Sequence, residues 1–426
     1  MDTVPFHLIL SAVDVLAWGG LFLWIRHRRN SERTHSAAYE YEKSLFVPTV
    51  KVRKPSLLWD LSGCIICGSF AFFCFVIFSR LIFTDIFQKH VYNFNVGQCV
   101  VEGFFYHGTL FLAVTGTVLL WNRRRLAAIC SFLAAVLFAA LGADVIWFEP
   151  YALVTEYYTI KTPKLKEPLR VVFVADIQTD RIGWYEERTL KKIQSLKGDL
   201  IILGGDYLQT YAGTPHADKL PEAFRQLFIK HKLEAPLGVY AIGGNIQHST
   251  APDTDLFKDT GVEAVMSSTV LENLGSDKDL GPVDVVLLGL GHSRGSAGDP
   301  QKLTDTGNFM IMAGHYPNFA VHGYKSGPPE NYSKPGYMDA ESAPDLMLAG
   351  HTHGGQVGIP FYGPLPPWFG DRHVKQIPRE MMHGFFQYAN GGRLLVSRGS
   401  GMECGWAPRI RFCCPSEISV IDIIPE

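Results

Sequence analysis

The sequence predicts two unlike parts. An all-α membrane region of about four transmembrane helices, residues 1–150, precedes an α/β domain, residues 168–426. Three observations carry this. Four apolar stretches of bilayer-spanning length crowd the first third of the chain. Short β-rich runs replace them after residue 168. Those runs end, one after another, in Asp, Asn or His beside glycine.

The apolar stretches run over about 6–25, 60–83, 103–121 and 126–147. Each is near the ~20 residues that a helix needs to cross a bilayer. Composition agrees: 47% of residues are hydrophobic and only 19% charged. Trp18, Trp24, Trp59, Trp121 and Trp147 lie near the ends of these stretches, as interfacial aromatics do. The first stretch is followed by "RHRRNSER", the reverse of a signal peptide's charge order, so a retained span is expected. The linker 26–54 and "NRRR" at 122–125 are basic, whereas 81–100 holds only Lys89. The positive-inside rule then makes this a multi-pass membrane protein whose C-terminal domain is extracytoplasmic. Lys161, Lys164, Lys166 and Arg170 weigh against that orientation. A formal charge of −2 gives no electrostatic case for a nucleic-acid partner. Cys64 and Cys67 have CxxC spacing but fall inside a lipid-length stretch, which points to packing rather than zinc or redox chemistry.

In the second part, "LRVVFVADIQTD", "DLIILGGDYLQT", "GVYAIGGNIQHS", "VDVVLLGLGHSR", "NFMIMAGHYPN", "DLMLAGHTHGG" and "RLLVSRGSG" read as buried strands. Stretches 185–197 and 219–232 read as helical or loop. The polar segment 323–344 is a mobile insertion or a lid, the former being the simpler account. Such α/β domains build their sites at strand C-terminal ends.

Those ends carry Asp176 and Gln178, Asp206, Asn245, His315, and His351 with His353. A lone strand-end Asp is usually a cap and a lone His a satisfied core residue. So many in register are hard to explain as caps. Carboxylate and amide oxygens with imidazole nitrogens suit Mn, Fe or Zn. One bridging carboxylate can hold two such ions, an arrangement that activates water and clamps a phosphoryl group.

The order Asp-x-x, Gly-Asp, Gly-Asn, Gly-His, Gly-His-x-His resembles the calcineurin-like metallophosphoesterase family, over about residues 168–424. The tail "LLVSRGSG…PRIRF…PSEISVIDI" further resembles a membrane-associated branch, which includes anchored phosphodiesterases and UDP-diacylglucosamine pyrophosphatases. The resemblance implies a layered α/β/β/α sandwich of two mixed sheets. It implies two divalent metal ions; the oxygen donors, Gln178 among them, make Mn the first candidate, with Zn or Fe as alternatives. Asp176 and His353 would hold one ion, Asp206 would bridge, and Asn245, His315 and His351 would hold the other. A metal-activated water would attack the phosphorus of a phosphate-ester substrate, lipid-linked if the anchoring is informative.

Two positions depart from the family pattern. "DIQ" places Gln178 where a histidine is usual. It is either a weaker, neutral ligand or a bystander, and the sequence leaves both open. "GGNIQH" places Ile246 where the family has the histidine that assists the leaving group, and Ile cannot transfer a proton. His248 or His292 could substitute, or either could be a surface histidine. Losing such a group costs ~10²–10⁴-fold unless the leaving group is good. A metal-binding pseudoenzyme at the membrane is therefore the alternative. A transporter is disfavoured, because the spans carry few charges beyond Asp14 and Asp144. Arg398 is a candidate phosphate or scaffold contact, and Arg409 and Arg411 candidate surface charges. Trp184, Tyr185, Trp368 and Phe369 are candidates for an apolar rim.

Overall fold

The computed structural model describes residues 93–209, 218–246, 253–265, 267–274, 280–289, 307–321, 344–365, 377–388, 391–403 and 408–426. The first two apolar stretches, the segment 323–344 apart from its last residue, His248, His292, Trp368 and Phe369 lie outside these. The chain divides into two compact units, one containing 95–143 and the other 144–426.

Two long helices fall in the first unit, α1 (Asn93–Trp121) and α2 (Arg125–Ala143). Among the described residues, these are the two helices long and apolar enough to cross a membrane. Gly108 and Gly116 of α1 meet the rings of Phe138 and Phe132 on α2, and Gly142 meets Phe105. Small residues against aromatic rings let the two helices approach closely. Leu126, Leu133, Val136 and Leu137 are exposed, which leaves α2 with an apolar outer face.

The second unit holds two six-stranded mixed sheets. The first contains β1 (Val154–Thr162), β2 (Leu169–Val174), β3 (Leu200–Leu203), β4 (Val239–Ile242), β5 (Glu263–Val265) and β14 (Glu417–Pro425). Its order is β1-β14-β2-β3-β4-β5, with β14 parallel to β1 and antiparallel to β2. The second contains β6 (Thr269–Leu274), β7 (Val283–Leu287), β8 (Phe309–Gly314), β9 (Leu346–Ala349), β12 (Gly384–Gln387) and β13 (Arg393–Val396). Its order is β12-β13-β9-β8-β7-β6, and β7, β8, β9 and β13 run parallel. A small hairpin pairs β10 (Gly358–Ile359) with β11 (Gly363–Pro364).

Strand periodicity sorts the core into three layers, since alternate side chains leave opposite faces. Val171, Phe173, Leu200 and Ile202 of the first sheet share a cluster with Val285, Ile311, Leu346 and Leu348 of the second. Their neighbours Val172, Val174, Ile201 and Leu203 instead meet α3 (Trp184–Ser195) and α4 (Leu220–His231). The buried faces of these helices, Leu190 with Ile193 and Leu220, Phe224, Leu227 with Phe228, follow helical spacing. Met310, Met312, Met347 and Ala349 pack outward on Phe319, Met381 and Met382. Each of the larger apolar side chains among these contributes about 1.5–3 kcal/mol by burial. The strands expected from the seven apolar runs are all present, and helices occupy both stretches read as helical or loop. β1 lies N-terminal to residue 168, where the sequence pattern changes.

Candidate metal centre

The parallel strands deliver the candidate residues to one place. Asp176, Asp206 and Asn245 follow the ends of β2, β3 and β4; His315 and His351 follow β8 and β9. Both sheets therefore contribute. The backbone leaves regular extension at once: Asp176, Gln178, Asp206, His351 and His353 all have φ between 40° and 69°. Such left-handed conformations are uncommon for residues with a side chain and cluster where structure serves a site. His351 and His353 accordingly lie in a turn, not on an extended strand end; β9 has already stopped at Ala349 and a 3₁₀ turn begins at His353.

Hydrogen bonds hold these loops. The Asp176 and Gln178 amides donate to the carbonyls of Gly205 and Asp206, 3.0 and 2.8 Å. The His351 amide donates to both carboxylate oxygens of Asp176, at 3.1 and 2.9 Å. Ile246 donates its amide to Asp206 Oδ1, 3.0 Å. Gly244 passes so close to Asp206 that a Cβ there would collide with it, and Gly350 is as tightly set against Ala175 and Asp176.

His315 is fully buried. Its Nδ1 lies 2.9 Å from the Gly204 carbonyl, which can only accept, so Nδ1 carries a proton. Nε2 is thereby turned to Asn245 Oδ1 at 2.8 Å and Asp206 Oδ2 at 3.2 Å. The His351 ring stands 5.0 Å from that of His315, centroid to centroid, and 4.0 Å from Tyr316. One ligand atom each from Asp206, His315 and His351 fall within 4.8 Å of one another.

Electrostatics follow from burial and charge. Burial raises the pKa of Asp206, but the adjoining His315 charge and hydrogen bond outweigh it and hold the group low. Burial pushes Asp176 up to about 7, against the pull of His315. His315 is raised to about 9: burial opposes its charge, and Asp206 and Asp176 overcome that. Burial, helped by Arg411, lowers His353 to about 3 and keeps it neutral.

The residues fit divalent metal. The donors are carboxylates, imidazoles and amides. Two buried atoms, Gln178 Oε1 and His353 Nδ1, have no hydrogen-bond partner. Leaving such groups unpaired costs about 1–3 kcal/mol each, a cost a metal ligand does not carry.

Other sequence candidates fall differently. Arg398 pairs with Glu156 and Glu417, and so is scaffold. Arg409 pairs with Asp180. Arg411 is not a surface charge: it is 0% exposed and donates to the carbonyls of Cys414, Arg398, Gly399 and Gly401. A guanidinium with five donors can bind several carbonyls together, which is how it is tolerated inside. Tyr185 does not form a rim; it is buried and donates its hydroxyl to the Ser400 carbonyl. Trp184 is exposed. Sequence reasoning missed Tyr316, signalled by its place beside His315, and Glu403, which nothing in the sequence signals.

Carboxylates and imidazoles gathered at strand ends between two mixed sheets make a candidate divalent-metal centre. Residues 169–355 match the calcineurin-like phosphoesterase family model, and the chain carries a calcineurin-like phosphoesterase domain. It is similar to the metallophosphoesterase YkuE of Bacillus subtilis, 26% identical over 288 residues, covering 65% of this chain and 87% of that one. The metallophosphoesterase Cj0846 of Campylobacter jejuni is 25% identical over 276 residues, 62% of this chain and 61% of that one. The UDP-2,3-diacylglucosamine pyrophosphatase LpxG of Chlamydia trachomatis is 24% identical over 313 residues, 61% and 84%. The protein is a metal-dependent phosphoester hydrolase.

Proposed function

We propose that this protein is a membrane-anchored phosphoesterase that cleaves a phosphodiester or pyrophosphate bond in a lipid-linked substrate. Residues 1–150 form the anchor and 168–426 the catalytic domain, on the extracytoplasmic side. The basic segments 26–54 and 122–125 support that orientation, under which a cytoplasmic nucleotide such as that in the LpxG name is a poor substrate. The observation that carries the reading is the convergence of Asp206, His315 and His351 ligand atoms within 4.8 Å.

Asp176, Gln178 and His353 would hold one ion, with Mn the first candidate. Asn245, His315 and His351 would hold the second, with Asp206 shared. When bound, the ions supply Lewis acidity and an activated water. The chain's part is to hold donors in place. Gly204 holds the His315 Nδ1 proton, so that Nε2 would be the atom offered to an ion. The His351 amide and Ile246 amide pin the two carboxylates. His248 or His292 would give the leaving group its proton.

The Ile246 side chain favours a second reading, a metal-binding pseudoenzyme, because the position next to Asn245 offers no proton. One experiment separates them. Full-length protein in detergent is assayed for bound metal and for bis-p-nitrophenyl phosphate hydrolysis with Mn, with EDTA, and as His351→Ala and Asp206→Asn. Mn-dependent turnover lost in both variants is the expected result. Metal bound without turnover would favour the pseudoenzyme, and no metal at all would sink both readings.

A further inference from the structure

Gln178 stands where the family has an imidazole, and its surroundings show how an amide is made to serve. Its side chain is buried. Nε2 donates to Glu403 Oε2 at 2.8 Å, across 225 residues of sequence. The other oxygen of Glu403 accepts from Gln209 Nε2 at 2.6 Å. A carboxylate only accepts hydrogen bonds, so the amide cannot turn its oxygen towards Glu403. The NH₂ end is fixed there, and the opposite end, Oε1, is left buried without a hydrogen bond. The backbone is set as well: the Gln178 amide donates to the Asp206 carbonyl, and Gln209 donates its amide to Thr179.

Resting on the metal-centre reading above, we infer that Glu403 is a positioning residue that makes Gln178 a metal ligand. It selects one of two amide orientations and presents Oε1 as the donor. Its negative charge also polarises the amide, shifting electron density to the oxygen and strengthening a neutral, otherwise weak ligand. Gln209 holds the carboxylate from its other side. A ligating histidine commonly passes its second N–H to a carboxylate; here the pair Gln178–Glu403 plays the same part with an amide. A purely structural tie between the loops after β2 and β13 would fix the amide in the same way, but it would not need Oε1 left buried and unpaired.

The test is a double-substitution cycle read by metal affinity, on full-length protein in detergent titrated with Mn against a chromophoric chelator. Glu403→Gln is nearly isosteric, removes the charge and lets the Gln178 amide turn over. It is expected to weaken one of two ions about 10–100-fold, the range for residues that orient ligands, with the other ion unchanged. Gln178→Ala should weaken the same ion, and the double variant should be no worse than Gln178→Ala alone. Thermal unfolding of the metal-free variants reports any loss of fold. Glu403→Asp, which keeps the charge, is the second variant and should fall between wild type and Glu403→Gln. Wild-type affinity for both ions in Glu403→Gln and Glu403→Asp overturns the inference, as do losses that multiply in the double variant. Wild-type protein that binds no Mn overturns the metal centre itself.

Discussion

Two carboxylates and one imidazolium share a dry space at the centre of this site. In metal-free protein the His315 pKa is raised to about 9, chiefly by Asp206. A raised histidine stabilises the fold fully below its unfolded value near 6.5, and that contribution is lost as pH rises through 9. Asp176, raised to about 7, works in the same direction between about 4 and 7, but His353, lowered to about 3, opposes it there. The window from 6.5 to 9 is therefore the clear one. Metal-free protein should lose thermal stability across it, and His315→Gln should flatten the profile. Metal must displace the same proton, so Mn affinity should rise by about tenfold per pH unit over that window. A flat affinity there would show that His315 is not protonated when the site is empty of metal. Asp176, Asp206, His315, His351 and His353 were legible in the sequence because each follows an apolar run. Glu403 was not, because a glutamate in a loop far from its partner has no spacing to betray it.

At the scale of elements, Arg411 binds the turn after β13 to the turn before β14. Ser400 and Gly401 of the first turn donate their amides to Ala175 and Asp176, so the guanidinium also braces the loop that bears a ligand. Arg411→Met should leave several carbonyls buried and unpaired and lower stability by about 3 kcal/mol. The readout is a lower urea midpoint with an unchanged slope. Runs such as "LIIL" and "MIMA" announced strands because they are buried on both faces. For the same reason they gave no sign of which sheet each joins. β1 was harder to read, since "VTEYYTIKT" mixes polar and half-exposed residues. The burial of Arg411 was illegible, because charge alone argues for the surface and only the ring of carbonyls reverses it.

For the whole molecule, the proposed ions would be fastened to both sheets at once: Asp176 and Asp206 from the first, His315 and His351 from the second. Binding only the folded state, ligand at 100 times its dissociation constant adds about 2.7 kcal/mol. Chelation should therefore lower the unfolding temperature of the domain by several degrees, at about 2–4 °C per kcal/mol for a domain of this size. Asp206→Asn should be insensitive to EDTA in the same scan. A wild-type curve unmoved by chelation would leave the two sheets held by their apolar seam alone.

β14 lies between β1 and β2 in the first sheet, although it follows every other described strand in sequence. A ribosome releases β1 and β2 long before it makes the strand that separates them. Until residue 425 has emerged, both present open edges that the finished sheet does not have. The loop carrying Asp176 also waits, because Ser400, Gly401 and Arg411 arrive late. Assembly of the loop that bears Asp176 thus waits for β14, and the growing chain spends that interval with two strand edges uncovered.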